Sequence, residues 1–111
     1  MEDNKNNKKM NVVAEILKLR CGDRISVRED LNGCAFDTTN VPLLSDVRCI
    51  LRSFFTNADK IVRDMSLFGY YGISAIYLNE AKFRKKVDTD LLLMSVKASD
   101  TDKVNELLSA F

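Results

Sequence analysis

Cysteine, lysine and carboxylate side chains carry the reactive chemistry of this 111-residue chain, because it contains no histidine. Without imidazole, Ser-His-Asp and Cys-His catalysis and every histidine metal site are excluded. Cys21, Cys34 and Cys49 form no C-x-x-C pair, and such spacing favours free thiols in a reducing compartment. The alternative is a three-cysteine zinc site, which would need a carboxylate or a partner's residue as its fourth ligand.

A second chemical signal is the local cluster of positive charge at residues 82–86, with the sequence Lys-Phe-Arg-Lys-Lys. As a functional strip it would contact nucleic-acid phosphates through its cations and one base through Phe83. The alternative is a solvated strand face with Phe83 turned toward the core. We favour the alternative, because 17 basic and 16 acidic residues give a net charge of only +1, too little for a long-range field.

Catalytic motifs are missing from the sequence as well. It has no glycine-rich phosphate loop and no nucleophile beside a recognisable base. We therefore predict that the protein is not an enzyme and has no cofactor, no catalytic residue and no metal ligand.

Length and composition predict one folded domain. Hydrophobic residues make up 46% and charged residues 30% of the chain, which is typical of a globular domain. No apolar run reaches the ~18–20 residues of a membrane span, and the polar N-terminus is unlike a signal peptide. We expect a disordered tail over 1–10, a single domain over 11–111 with its first helix at 11–21, no membrane insertion, and a cytoplasmic location.

A hairpin is predicted after the first helix. Alternating apolar and polar residues indicate strands over 24–30 and 34–39. Asn32-Gly33 predicts the connecting turn, because a type I′ turn needs positive φ at both central positions. A two-residue turn at this place would pair Val27 with Thr38.

The longest predicted element is one unbroken helix over 42–65. Its apolar residues fall in one arc about 140° wide on a helical projection. One edge of the arc carries Leu44, Phe55 and Val62, and the other carries Leu43, Ile50 and Ile61. Either both edges pack into one core, or one edge packs on the core and the other on a second molecule.

The last part of the chain is predicted as a three-stranded meander followed by a helix. The strands are expected at 72–78, 81–87 and 90–97, the last being a continuous apolar run of the kind found in doubly covered strands. An alternative interpretation makes 74–86 helical. From Val104 onward, apolar residues recur at helical spacing and predict a terminal helix.

The resulting order, α-ββ-α-βββ-α, together with particular segments, resembles the roadblock/LC7 family, most closely the roadblock-type dynein light chains. Residues 27–33 are similar to the family's first hairpin and residues 58–65 to the end of its long helix. Residues 72–78, 81–87 and 91–97 resemble its last three strands, and 88–90 its final turn. The resemblance covers about residues 11–98.

This resemblance implies an α+β domain, with a five-stranded antiparallel sheet and the long central helix on one face. It also implies a homodimer, or a heterodimer with a paralogue, formed through that helix and the edge strand at 72–78. The interface residues expected on this basis are Leu44, Leu51, Phe55, Val62, Ile73, Ala75 and Tyr77.

The function implied is that of a non-catalytic adaptor in a microtubule motor complex, binding the intermediate chain of cytoplasmic dynein. The terminal helix is similar to that of the family's scaffold subunits, so the alternative is a scaffold or regulator of a small GTPase. A second alternative is a small nucleic-acid-binding protein that uses residues 82–86; the adaptor hypotheses involve no nucleic acid.

Overall fold

Five helices and three short strands make up the part of the chain described by the computed structural model, residues 2–28, 33–37, 41–68, 73–77 and 80–111. The helices are α1 (Glu2–Cys21), α2 (Val41–Phe54), α3 (Ala58–Phe68), α4 (Thr89–Ser95) and α5 (Thr101–Ser109). The strands are β1 (Ile25–Arg28), β2 (Gly33–Asp37) and β3 (Ile73–Tyr77). Single 3-10 turns precede β1 and α5, at Gly22–Arg24 and Ala98–Asp100.

The first helix ends where the sequence predicts. Its last residue is Cys21, and Gly22 follows at φ 63°, the left-handed conformation that glycine adopts most readily after a helix. The helix begins at Glu2, so the predicted start at Asn11 lies inside it. Arg20, in its last turn, forms a partly buried ion pair with Asp46 of α2, which joins the two helices.

The five-stranded antiparallel sheet is wrong for the described residues, which form a three-stranded antiparallel sheet in the order β1-β2-β3. The predicted strand at 72–78 is present as β3. Residues 81–87 form a single bridge, Phe55 with Phe83, instead of a strand. The predicted strand at 90–97 is replaced by α4, and the alternative helix over 74–86 does not form because β3 occupies its start.

The hairpin exists, but its pairing differs from the prediction. Arg28 pairs with Gly33 and Val27 with Cys34, not with Thr38, so the connection is longer than a two-residue turn. Asn32 lies outside the described residues, and Gly33 is the first residue of β2. This register places Ile25 opposite Phe36 and Ser26 opposite Ala35.

The long helix predicted over 42–65 is also wrong as one element, because it is divided into α2 and α3 by Phe55, Thr56 and Asn57. The terminal helix is confirmed as α5.

A single core joins all five helices with β1 and β2. Both predicted edges of the apolar arc contribute to it, since Phe55 and Val62 are as buried as Ile50 and Ile61. Leu92 of α4 and Val104 of α5 are fully buried against the same core. Within one chain, therefore, the described part of the arc is already covered on both edges.

Candidate functional site

The residues expected at a dimer interface fall into two groups. Leu51, Phe55 and Val62 are buried inside the core of the single chain. The other four lie in α2 (Leu44) and in β3 (Ile73, Ala75 and Tyr77), where the structure describes only their backbone. β3 is at one edge of the described sheet, but the buried group offers no surface to a second molecule without opening the core.

The three cysteines are free thiols at different depths. Cys49 is partly exposed, whereas Cys21 and Cys34 are buried. Burial raises the pKa of Cys34 to about 12 and also raises the pKa of Cys21, so neither thiol forms the reactive thiolate near neutral pH. Among the described residues, no group of three Cys, Asp or Glu side chains is placed to hold a metal ion.

The charged cluster found in the sequence lies on a segment that crosses the junction between α2 and α3. We call this segment, residues 80–88, the strap. The Thr56 amide donates to the Lys82 carbonyl at 2.8 Å, and the Arg84 amide donates to the Phe54 carbonyl at 2.8 Å. These two bonds flank the single bridge between Phe55 and Phe83 and fasten the strap to the junction.

Asn57 adds a side-chain clamp on the strap. Its Nδ2 donates to the Glu80 carbonyl at 2.7 Å, and its Oδ1 accepts from the Lys82 amide at 3.0 Å. The Asn57 carbonyl accepts the first α3 bond, from Ile61 at 3.1 Å. Asn57 therefore immediately precedes the first turn of α3, and its side chain is bound to the strap instead of to the amides of that turn.

Phe83 faces inward from the strap, as the favoured sequence interpretation predicts. Its ring lies 4.9 Å from that of Phe55 in an edge-to-face arrangement and 6.0 Å from that of Phe111. The Lys9 ammonium lies 5.6 Å from the Phe83 ring centre, within cation–π range. Because Phe83 is engaged on both sides, it is not placed to stack on a nucleic-acid base.

At the junction, one arginine of the strap bonds to α2, and one arginine of α2 bonds to α3. Arg84 Nε donates to the Arg52 carbonyl at 2.6 Å, and Arg52 Nε donates to Asp59 Oδ1 at 2.8 Å. The Arg52 and Asp59 side chains remain 44% and 72% exposed, so a partner in solution can reach this pair.

The electrostatics show that further arginines surround Asp59. The hydrogen bond from Arg52 is the main cause that lowers the pKa of the Asp59 carboxyl, and the charges of Arg48 and Arg63 lower it further. Arg48 and Arg52 are one helical turn apart on α2, and Asp59 and Arg63 are one turn apart on α3, the spacing that puts side chains on one helix face.

We call this surface the basic face. It comprises Arg48, Arg52, Arg63, Lys82, Arg84, Lys85 and Lys86, and all but the partly buried Arg84 are exposed. Asp59 of α3 and the strap residues Glu80 and Asp88, all three exposed, are acidic residues beside it. Within the described part of the chain, Arg52 is the only one of its seven cations that forms an ion pair. The arrangement is suited to holding an external anion.

Sequence reasoning found residues 82–86 but missed Arg52, Asp59 and Asn57. In the predicted continuous helix, Arg52 and Asp59 would be separated by about 10 Å along the axis. The sequence interpretation therefore gave no reason to expect them to form an ion pair. Thr56-Asn57 was the available signal, because both residues are weak helix formers and asparagine often begins a helix.

Comparisons with protein-family models, with curated proteins and with solved structures found no match. No helix among the described residues combines the length and the apolar character that crossing a membrane requires.

Proposed function

We propose that this chain is a non-catalytic adaptor that binds an acidic segment of a partner protein through the basic face. The observation that carries the proposal is the Arg52–Asp59 pair, in which a guanidinium at this face already holds a carboxylate at 2.8 Å. The neighbouring Arg48 and Arg63 have no ion-pair partner among the described residues and can hold further carboxylates. Arginine suits this role because its planar fork matches carboxylate geometry.

An acidic protein segment fits the face better than a nucleic acid does. The net charge of the chain is +1, so attraction is confined to the face and weakens beyond about 8–10 Å at physiological salt. Base stacking on Phe83 is unavailable because its ring packs on Phe55. Phosphate contacts alone remain possible, and nucleic-acid binding is therefore the second outcome that the experiment below distinguishes.

The proposal keeps the non-catalytic adaptor inferred from the sequence. It does not keep the partners and the dimer that the roadblock resemblance implied. A dynein intermediate chain and a small GTPase are partners that only the roadblock resemblance suggests. The five-stranded sheet implied by that resemblance is absent from the described residues. The proposed dimer used residues such as Phe55 that are buried within one chain. The basic face supports an acidic partner without requiring either feature.

The test is a binding titration with three fluorescent probes: a Glu-rich peptide, the same peptide with Gln in place of Glu, and a single-stranded oligonucleotide of equal charge. We expect the Glu-rich peptide to bind with micromolar affinity that falls steeply with salt, and the Gln peptide not to bind. Preference for the oligonucleotide would replace this function with the nucleic-acid alternative, and absence of binding by all three probes would remove both.

Variants localise the binding surface. The double substitution Arg48→Gln/Arg63→Gln should weaken binding of the Glu-rich peptide roughly tenfold, since each exposed contact contributes up to ~1 kcal/mol. The matched control is Arg24→Gln/Lys103→Gln, which removes the same charge from the turn before β1 and from α5. Equal weakening by the control would show that net charge, and not the basic face, accounts for the affinity.

A further inference from the structure

The C-terminal end of α2 is completed by the strap instead of by more helix. In a continuous helix, the carbonyls of Arg52, Ser53 and Phe54 would accept from the amides of residues 56–58. Here each carbonyl has a donor from the strap. Arg84 Nε donates to the Arg52 carbonyl at 2.6 Å. The Asp88 amide donates to the Ser53 carbonyl at 2.9 Å, and the Arg84 amide donates to the Phe54 carbonyl at 2.8 Å.

On the amide side of the break, the strap supplies an acceptor for one amide, that of Thr56. In a continuous helix the Thr56 amide would donate to the Arg52 carbonyl. Here it donates to the Lys82 carbonyl at 2.8 Å. The strap therefore supplies partners for three carbonyls and for the Thr56 amide, and unmade bonds at helix ends are costly when buried.

The usual local causes of a broken helix are missing between α2 and α3. No proline or glycine occurs from residue 43 to residue 68, and such residues account for most sharp helix kinks. The apolar pattern also continues across the break in one arc. Phe54 before the break, Phe55 within it, and Ala58 and Ile61 after it are all buried, so the apolar pattern of the sequence is compatible with one helix.

We propose that the strap and helix continuation compete for the same carbonyls, so that this region is a two-state device. With the strap docked, α2 and α3 are separate and Arg52 is paired with Asp59. With the strap released, the amides of residues 56–58 take over the three carbonyls and the two helices join. Joining moves Asp59 about 10 Å along the axis from Arg52, which frees the Arg52 guanidinium. The competition is independent of what the basic face binds.

The distance between two spin labels tests the device directly. Ser45→Cys and Lys60→Cys place labels on exposed positions of α2 and α3, in a Cys49→Ser background that removes the partly exposed native thiol. Cys21 and Cys34 are buried, and a stoichiometry of two labels per chain verifies that they stay unlabelled. A continuous helix separates the two backbone positions by about 22 Å.

Asn57→Ala is the variant that should populate the joined state. It removes both side-chain bonds to the strap, and it introduces the best helix former. We expect a new distance population near 22 Å, larger when Arg84→Gln also removes the bond to Arg52, and absent from the parent. The control adds Ala58→Pro, which is tolerated at the first position of α3 but not inside a joined helix, and should abolish the new population.

The proposal is overturned if folded Asn57→Ala and Asn57→Ala/Arg84→Gln proteins both keep only the parent distance. It is equally overturned if Ala58→Pro leaves the new population unchanged. Should Asn57→Ala fail to fold, Arg84→Gln alone decides the matter, with a smaller population near 22 Å supporting the device and the parent distance alone excluding it.

Discussion

Two short apolar runs, one in β3 and one in α4, have the same predicted structure and different observed ones. Ile73–Tyr77 forms a strand, whereas Thr89–Ser95 forms a helix. The two differ in side-chain type, because β3 has two isoleucines and a tyrosine while α4 has three leucines and a methionine. Residues branched at the β-carbon and aromatic residues favour strands, whereas Leu and Met, which are not branched there, favour helices.

The residue that precedes α4 is a second signal for a helix. Asp88 is the N-cap of α4, and its Oδ1 accepts from the Leu91 amide at 3.2 Å. Later in the helix, Leu92 and Ser95 are its buried residues, three positions apart, which is the spacing of one helix face. The comparison shows that a short apolar run can be either a strand or a helix. Capping and branching at the β-carbon decide between the two.

The largest test of the comparison is the truncation of Leu92. Leu92→Ala should lower the free energy of unfolding by about 2–5 kcal/mol, because this side chain is fully buried. Met94→Ala should change it by less than about 0.5 kcal/mol, since Met94 is 83% exposed. Urea denaturation of both variants measures the difference.

This pair of variants separates the two structures sharply. In a strand, residues 92 and 94 share a face, and a strand covered on both faces would bury Met94 as well. Comparable destabilisation by Leu92→Ala and Met94→Ala would therefore restore the strand.

A smaller effect is expected at the cap. Asp88→Ala should cost about 1 kcal/mol, because it leaves the Leu91 amide without its acceptor. Asp90→Ala, in the first turn of the same helix, is the matched control for loss of one negative charge. Thermal unfolding of the two variants provides the measurement, and equal losses would attribute the effect to charge alone.

The elements that local sequence signals specify were predictable. Gly22 marks the end of α1, the alternation of 24–28 indicates β1, and the spacing from Val104 gives α5. The division of α2 from α3 was not predictable in the same way, because its hydrogen bonds come from the strap, more than twenty residues along the chain from Thr56. The local sequence around Thr56 cannot indicate hydrogen-bond partners that lie so far along the chain.

The residues of the candidate site likewise differ in how far the sequence predicted them. Residues 82–86 were recognisable because their charges are contiguous in sequence. Arg52 and Asp59 come together only through the break in the helix, and Arg48 and Arg63 gather around Asp59 for the same reason. The roadblock resemblance failed on the sheet because it was built on apolar spacing, and α4 shows that such spacing fits a helix as well as a strand.

The smallest effect provides the most specific test of the comparison, because the helix and the strand predict opposite signs. Met94→Val introduces a β-branched side chain at a position that is 83% exposed, so packing contributes little to the result. In α4 the branched side chain loses rotamer freedom, and we expect a loss of a few tenths of a kcal/mol. In a strand, valine would be favoured over methionine and stability would rise. Met94→Leu, which keeps an unbranched β-carbon, should be close to neutral. The measurement is a set of parallel urea denaturations with enough replicates to resolve a few tenths of a kcal/mol, and a stabilised Met94→Val protein would contradict the helix at this position.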